Sequence, residues 1–191
     1  ILRGKANGLD MALGTNGYLL KEEKLEEILP CLTYLRFNIS AAEPKRYADI
    51  MGCQEQAFYN VRNTIKKCVD IKRDKGLSVT LGLQMVLMPA FKDQIIPIAK
   101  LGKELGVDYV VIKHCSDDET GSLGVDYSKY DELSDLLKEA ESYSDDKTLI
   151  KSVGIESQKF TNSNIKYKAE GGPFRITSYF PQQGTNEFYI N

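Results

Sequence analysis

The stretch Leu105-Gly-Val-Asp-Tyr-Val-Val-Ile-Lys-His-Cys-Ser-Asp-Asp118 decides how the chain is read. Its centre, residues 107–112, is a short run of β-branched, apolar and aromatic residues that follows a glycine at the end of a helical pattern. That composition describes a strand buried on both faces, as in a parallel sheet covered by helices. At Lys113, His114, Cys115, Ser116, Asp117 and Asp118 the apolar run stops. The only histidine of the chain is therefore expected beside a lysine at the C-terminal tip of a buried strand, the edge at which parallel α/β folds bind ligands.

On either side of this strand the chain alternates. Leu9–Leu13 reads as a strand, Gly14-Thr-Asn-Gly17 as a tight turn, and Lys21–Ile28 as a helix stopped by Pro30. Leu32–Ser40 is rich in strand formers. Thr33, Leu35, Phe37 and Ile39 fall on one face, and Tyr34, Arg36, Asn38 and Ser40 on the other. A polar stripe on such a strand lines either solvent or a wet cavity. Helices are predicted over Glu43–Met51, Gln54–Lys75, Asp93–Leu105 and Ser128–Tyr143, and strands over Leu77–Leu87 and Leu149–Ile155. Five strands joined by connections of crossover length predict an α/β fold with a parallel sheet curling into a TIM-type barrel. A closed barrel takes about 250 residues, and this chain has 191, so the barrel is expected to be partial. Residues 1–148 would form it, and residues 149–191 a last strand with an irregular C-terminal extension.

Composition narrows the function. A net charge of −2 argues against non-specific nucleic-acid binding, and the apolar runs fall far short of the ~20 residues of a membrane span. No secretory pattern opens the sequence, and Cys31, Cys53, Cys68 and Cys115 are too scattered for a disulfide framework or a zinc site. A cytoplasmic protein with no membrane partner is expected.

Four segments in order resemble the radical S-adenosylmethionine (radical SAM) enzymes. Gly14-Thr-Asn-Gly-Tyr-Leu-Leu20 is similar to the turn after one of their strands. Tyr34–Ala41, with Arg46-Tyr47 and Ile50-Met-Gly52, resembles their next strand and helix. Thr80–Pro89 and Val107–His114 resemble the two strands that follow. The match runs from about residue 8 to residue 145. It implies that Asn16, Arg36, Asn38, Ser40 and Gln84 bind S-adenosylmethionine, with Arg36 and Ser40 at its carboxylate and ribose. Lys113 and His114 would serve catalysis or substrate contact at the rim. It further implies a [4Fe–4S] cluster that cleaves the cofactor to a 5′-deoxyadenosyl radical, which abstracts hydrogen from a small-molecule or peptide substrate.

One departure is large. The three closely spaced cysteines of the family's C-x-x-x-C-x-x-C loop are missing, and the closest pair here, Cys53 and Cys68, cannot substitute. No metal ligands are expected in this chain, and the resemblance places the cluster loop on two βα units upstream of residue 9. Such a chain would be inactive alone. Near the other end, Tyr167–Phe174 echoes the start of a cysteine-rich extension without its cysteines.

Plainer roles stand beside these. Asn16 could shape its turn, Gln84 could be a core amide, Cys115 a buried apolar residue, and Asp117-Asp-Glu119 a solvated loop. Two other functions remain open. One is a Schiff-base aldolase with Lys113 as nucleophile and His114 or Asp108 moving protons. The other is a degenerate, non-catalytic barrel acting as a binding partner.

Overall fold

The computed structural model describes residues 1–117 and 121–154. The extension expected beyond residue 155, including Tyr167–Phe174, and the loop residues Asp118 and Glu119 lie outside the described residues.

Five strands form one sheet in the order β1 (Met11–Thr15), β2 (Leu32–Asn38), β3 (Thr80–Leu87), β4 (Tyr109–His114) and β5 (Leu149–Val153). Every pairing is parallel and every neighbour in the sheet is the next strand in sequence. Helices α1 (Leu2–Ala6), α2 (Glu22–Ile28), α3 (Pro44–Met51), α4 (Glu55–Lys75), α5 (Ile95–Leu105) and α6 (Ser134–Ser142) complete the described residues. This is the partial (β/α) barrel that the alternation predicts, an open arc of five units.

The core lies between the sheet and the helices. Leu35 and Phe37 of β2, Leu81, Leu83, Met85 and Leu87 of β3, and Val110 and Ile112 of β4 point outward into it. Helix α4 meets them with Phe58, Val61, Ile65, Cys68 and Ile71, and α5 with Ile95, Ile98, Ala99, Leu101 and Leu105. Each side chain of this size stabilises by about 1.5–3 kcal/mol when fully buried. The Cys68 thiol, sealed in this layer, is pushed up to about 12 by burial alone, which leaves it an inert core residue.

Three element boundaries differ from the expectation. Leu29–Cys31 and Pro89–Gln94, each with a proline in its first positions, and Tyr127–Leu133 are tight 3₁₀ turns, where continuous helix or loop was expected. Helix α1 carries no strong sequence signal and buries none of its residues.

Polar ties hold each end of the sheet. At the N-terminal end, Lys72 Nζ donates to both Asp108 oxygens at 2.5 and 2.6 Å, and the Leu81 N–H donates to Asp108 Oδ2 at 2.6 Å. One carboxylate thus joins the last turn of α4 to the starts of β3 and β4. At the C-terminal end, fully buried Gln94 accepts from the Ala42 N–H at 3.0 Å and donates to Glu43 at 2.9 Å and Asp93 at 2.8 Å. Asp93 in turn receives Arg46 at 2.7 and 2.8 Å, and this guanidinium holds its carboxyl below the ordinary value.

Candidate functional site

Strand register arranges the inner, helix-free face of the sheet in three rows. The lowest joins Gly14, Arg36, Gly82, Tyr109 and Leu149. Above it run Asn38, Gln84, Val111 and Lys151, and above those Val86, Lys113 and Val153. Ser40, two residues past Asn38, reaches the top row, where its hydroxyl accepts from the Val86 N–H at 3.3 Å. Five of the seven residues expected at the site, Arg36, Asn38, Ser40, Gln84 and Lys113, therefore share one face.

The lowest row depends on what its glycines lack. A Cβ on Gly82 would stand 2.1 Å from the Tyr109 ring, so the ring lies flat across the sheet only because residue 82 has no side chain. On the other flank a Cβ on Gly14 would stand 3.6 Å from the Arg36 guanidinium. Arg36, 8% exposed, is laid down between two glycine strips. Burial raises the Tyr109 hydroxyl above its ordinary value, and the positive charge of Arg36 works against that rise. Lys113 is pushed below the usual lysine value, first by burial and then by Arg36. The inner face is thus a partly desolvated surface with two mutually repelling cations. In the middle row Gln84, 3% exposed, donates through Nε2 to Asn38 Oδ1 across a long 3.4 Å.

The remaining two residues go elsewhere. Asn16 is exposed, and its Oδ1 accepts from the Tyr18 N–H at 3.1 Å, closing the turn after β1. His114 is the last residue of β4, paired with Leu87. The alternation that turns Lys113 inward turns His114 outward. There it stacks on Tyr130 with ring centroids 4.0 Å apart and planes 13° apart. Nothing local in the sequence marks Tyr130. Its hydroxyl donates to the Leu87 carbonyl at 2.5 Å and accepts from the Cys115 N–H at 3.1 Å, and burial raises it to about 12. Lys113 and His114 therefore leave the strand on opposite faces.

Burial lowers His114 below its ordinary value, with Asp131 opposing, and its Nε2 is buried with no hydrogen-bond partner among the described residues. A histidine whose folded pKa is depressed resists protonation in the native state. Stability is then intact above about pH 6.5 and falls as the pH drops from there towards the lowered value. With no other histidine in the chain, His114→Phe should abolish this loss while keeping the stack. Urea titrations of both proteins between pH 7.5 and 5 check it. Wild type should lose stability and the variant should not, and equal slopes would refute the assignment.

The aldolase arrangement does not form. Asp108 is tied to Lys72 at the opposite end of the sheet from Lys113, and His114 faces away. A cleft of about 270 Å³ does open at the C-terminal rim. It lies between Pro89–Lys92 and Gly124–Leu133, outside the barrel, and none of the inner-face residues lines it.

The described strands and helices define the chain as part of a (β/α) barrel, with polar side chains in rows along its inner face. Solved structures with this fold include SuiB of Streptococcus suis, a radical SAM enzyme. SuiB bound to S-adenosylmethionine aligns with a TM-score of 0.59 at 15% identity, covering 79% of this chain and 34% of that one. A second SuiB structure aligns at 0.60 and 14%, covering 86% and 38%. SuiB bound to the precursor peptide SuiA aligns at 0.54 and 14%, covering 78% and 33%. The chain spans about a third of the length of these relatives. No family model matches the sequence. No curated protein matches it.

The thiols do not assemble into an iron–sulfur site. Cys53 is exposed beyond α3, Cys68 is buried on α4 and Cys115 just past β4, and Cys31 ends the turn after α2. Among the described residues no three His, Cys, Asp or Glu side chains gather to hold a metal. The cluster does not fit the described residues. Nor is any described helix long and apolar enough to cross a membrane.

Proposed function

We propose that this chain forms the cofactor- and substrate-facing part of a radical SAM enzyme's barrel, with the cluster ligands carried on a different segment. The observation that supports this most is the inner face itself. Arg36, Asn38, Ser40, Gln84 and Lys113 stand in adjoining rows on the side of the sheet that helices leave open. The fold is shared with a protein crystallised with S-adenosylmethionine. Arg36 offers a desolvated, forked cation for the cofactor's carboxylate, an interaction stronger in low dielectric than in water. Ser40 accepts from a backbone N–H and keeps its own O–H to donate towards a ribose hydroxyl or carboxylate. Bound here, S-adenosylmethionine would supply the adenosyl group for hydrogen abstraction. The substrate is a small molecule or a peptide, as SuiB's complex with SuiA suggests by analogy, and a cytoplasmic setting suits the scattered thiols.

Isothermal calorimetry of the chain with S-adenosylmethionine tests the reading. Arg36→Lys keeps the charge and loses the fork, and Arg36→Gln loses both. The expected order of affinity is wild type, then Lys, then Gln, with Gln weaker by at least about tenfold, the loss of one charge-assisted hydrogen bond. Thermal melts alongside confirm that each variant is folded. No affinity in the wild type, or none lost in Arg36→Gln, would overturn the proposal.

A further inference from the structure

Gln84 is the most deeply buried polar residue of the inner face, and its hydrogen bonding is half finished. Its Nε2 is committed to Asn38 Oδ1, while its Oε1 is buried with no hydrogen-bond partner among the described residues. A buried acceptor left unmade is a standing cost to the folded state. Nothing in the helix layer explains it, because Leu83 and Met85 on either side of Gln84 point outward and the amide points in. Below it the Tyr109 ring covers Gly82, and above it on the same face stand Val86 and Lys113. An amide carbonyl held there by its own Nε2 is preset to receive a donor entering from the barrel's interior.

We propose that Gln84 Oε1 accepts a hydrogen bond from an N–H group of the bound ligand and that the residue is kept at the expense of stability. The inference rests on the reading of the inner face as a ligand site. It adds the chemistry that one position reads, a neutral N–H donor. An anion is excluded at this atom, since two acceptors repel. Asn38 already takes the Nε2 of Gln84, so only the carbonyl is left to meet a ligand, and an N–H is the donor that nucleobases and peptides both present to it. Two sources share this chemistry, the exocyclic amine of an adenosyl group and the backbone N–H of a peptide.

The test uses the whole chain and Gln84→Met, which keeps the volume and deletes the acceptor. In the absence of ligand the variant should melt at a higher temperature than wild type. Calorimetric titration with S-adenosylhomocysteine and with its inosine counterpart, in which an oxo group replaces the amine, reads the first source. Following the backbone amides of residues 83–85 by NMR in both proteins during titration with N-methylacetamide reads the second. Whichever donor is used, affinity should fall roughly three- to tenfold in the variant, the worth of one neutral hydrogen bond. A preference of wild type for the adenosyl compound that the variant lacks assigns the amine, and a shift with N-methylacetamide alone assigns a peptide. In that last case, if wild type binds no nucleoside, the cofactor reading fails and the role of Gln84 stands. A variant no more stable than wild type, or one that binds all three probes as wild type does, would overturn the inference.

Discussion

Phe37→Ala is expected to cost about 3–5 kcal/mol, the range for truncating a fully buried aromatic. Among the described residues Phe37 is the largest wholly buried side chain of the core, and it sits near the C-terminal end of β2, paired with Thr15 on one side and Leu83 on the other. Its ring also carries the turn after β1, because a Cβ on Gly17 would lie 2.9 Å from Phe37 Cδ1. Gly17 has φ +77°, so alanine there meets two penalties, left-handed backbone worth about 1–2 kcal/mol and a collision with the ring. The two substitutions are therefore coupled. In a Phe37→Ala background the collision disappears and Gly17→Ala should keep only its backbone cost. A double-mutant cycle by urea denaturation should give an interaction of about 1 kcal/mol or more. Strict additivity would show that the ring does not support the turn.

Gln94 should come next. Replacing it with leucine removes the acceptor of the Ala42 N–H and the donor that separates two carboxylates, Glu43 and Asp93. Hydrogen bonds to charged groups are worth about 1.5–3 kcal/mol each, so a loss of about 3 kcal/mol is expected. Gln94→Glu is the sharper variant. It keeps the acceptor for Ala42 but sets a third carboxylate against the other two. At pH 7 it should be at least as damaging as leucine, and it should recover as the pH falls through about 5, since a buried carboxyl among acids takes up its proton early. Denaturation midpoints of both variants at pH 7 and 4.5 decide the point. A glutamate variant insensitive to pH would show that Gln94 does not stand between the acids.

Much of this architecture is legible in the sequence. The run over residues 109–112 reads as strand, with Val110 and Ile112 in the helix-facing core, and period-two alternation alone places Arg36, Asn38 and Ser40 on one side of β2. The same rule, carried two residues further along β4, separates Lys113 from His114. The apolar run suggests that the strand stops at Ile112, but pairing with Val86 and Leu87 extends it, and pairing is not a local property. Tyr130 carries no sequence signal for a similar reason. Its value lies in a hydroxyl that meets Leu87 and Cys115, residues 43 and 15 positions away. Gly82 reads as a weak point in a strand, whereas in the fold it is the seat of the Tyr109 ring.

Because each strand pairs only with its neighbours in sequence, no unit waits for a distant partner in order to find its place. In this respect the described units resemble a linear array, each added beside the last, although every pairing joins residues far apart in sequence. Under a force applied through the two termini such an arc can be dismantled from either side, one βα unit at a time. The last contacts to yield would be those of β3, the middle strand of the five, whose outward face is buried from Leu81 to Leu87.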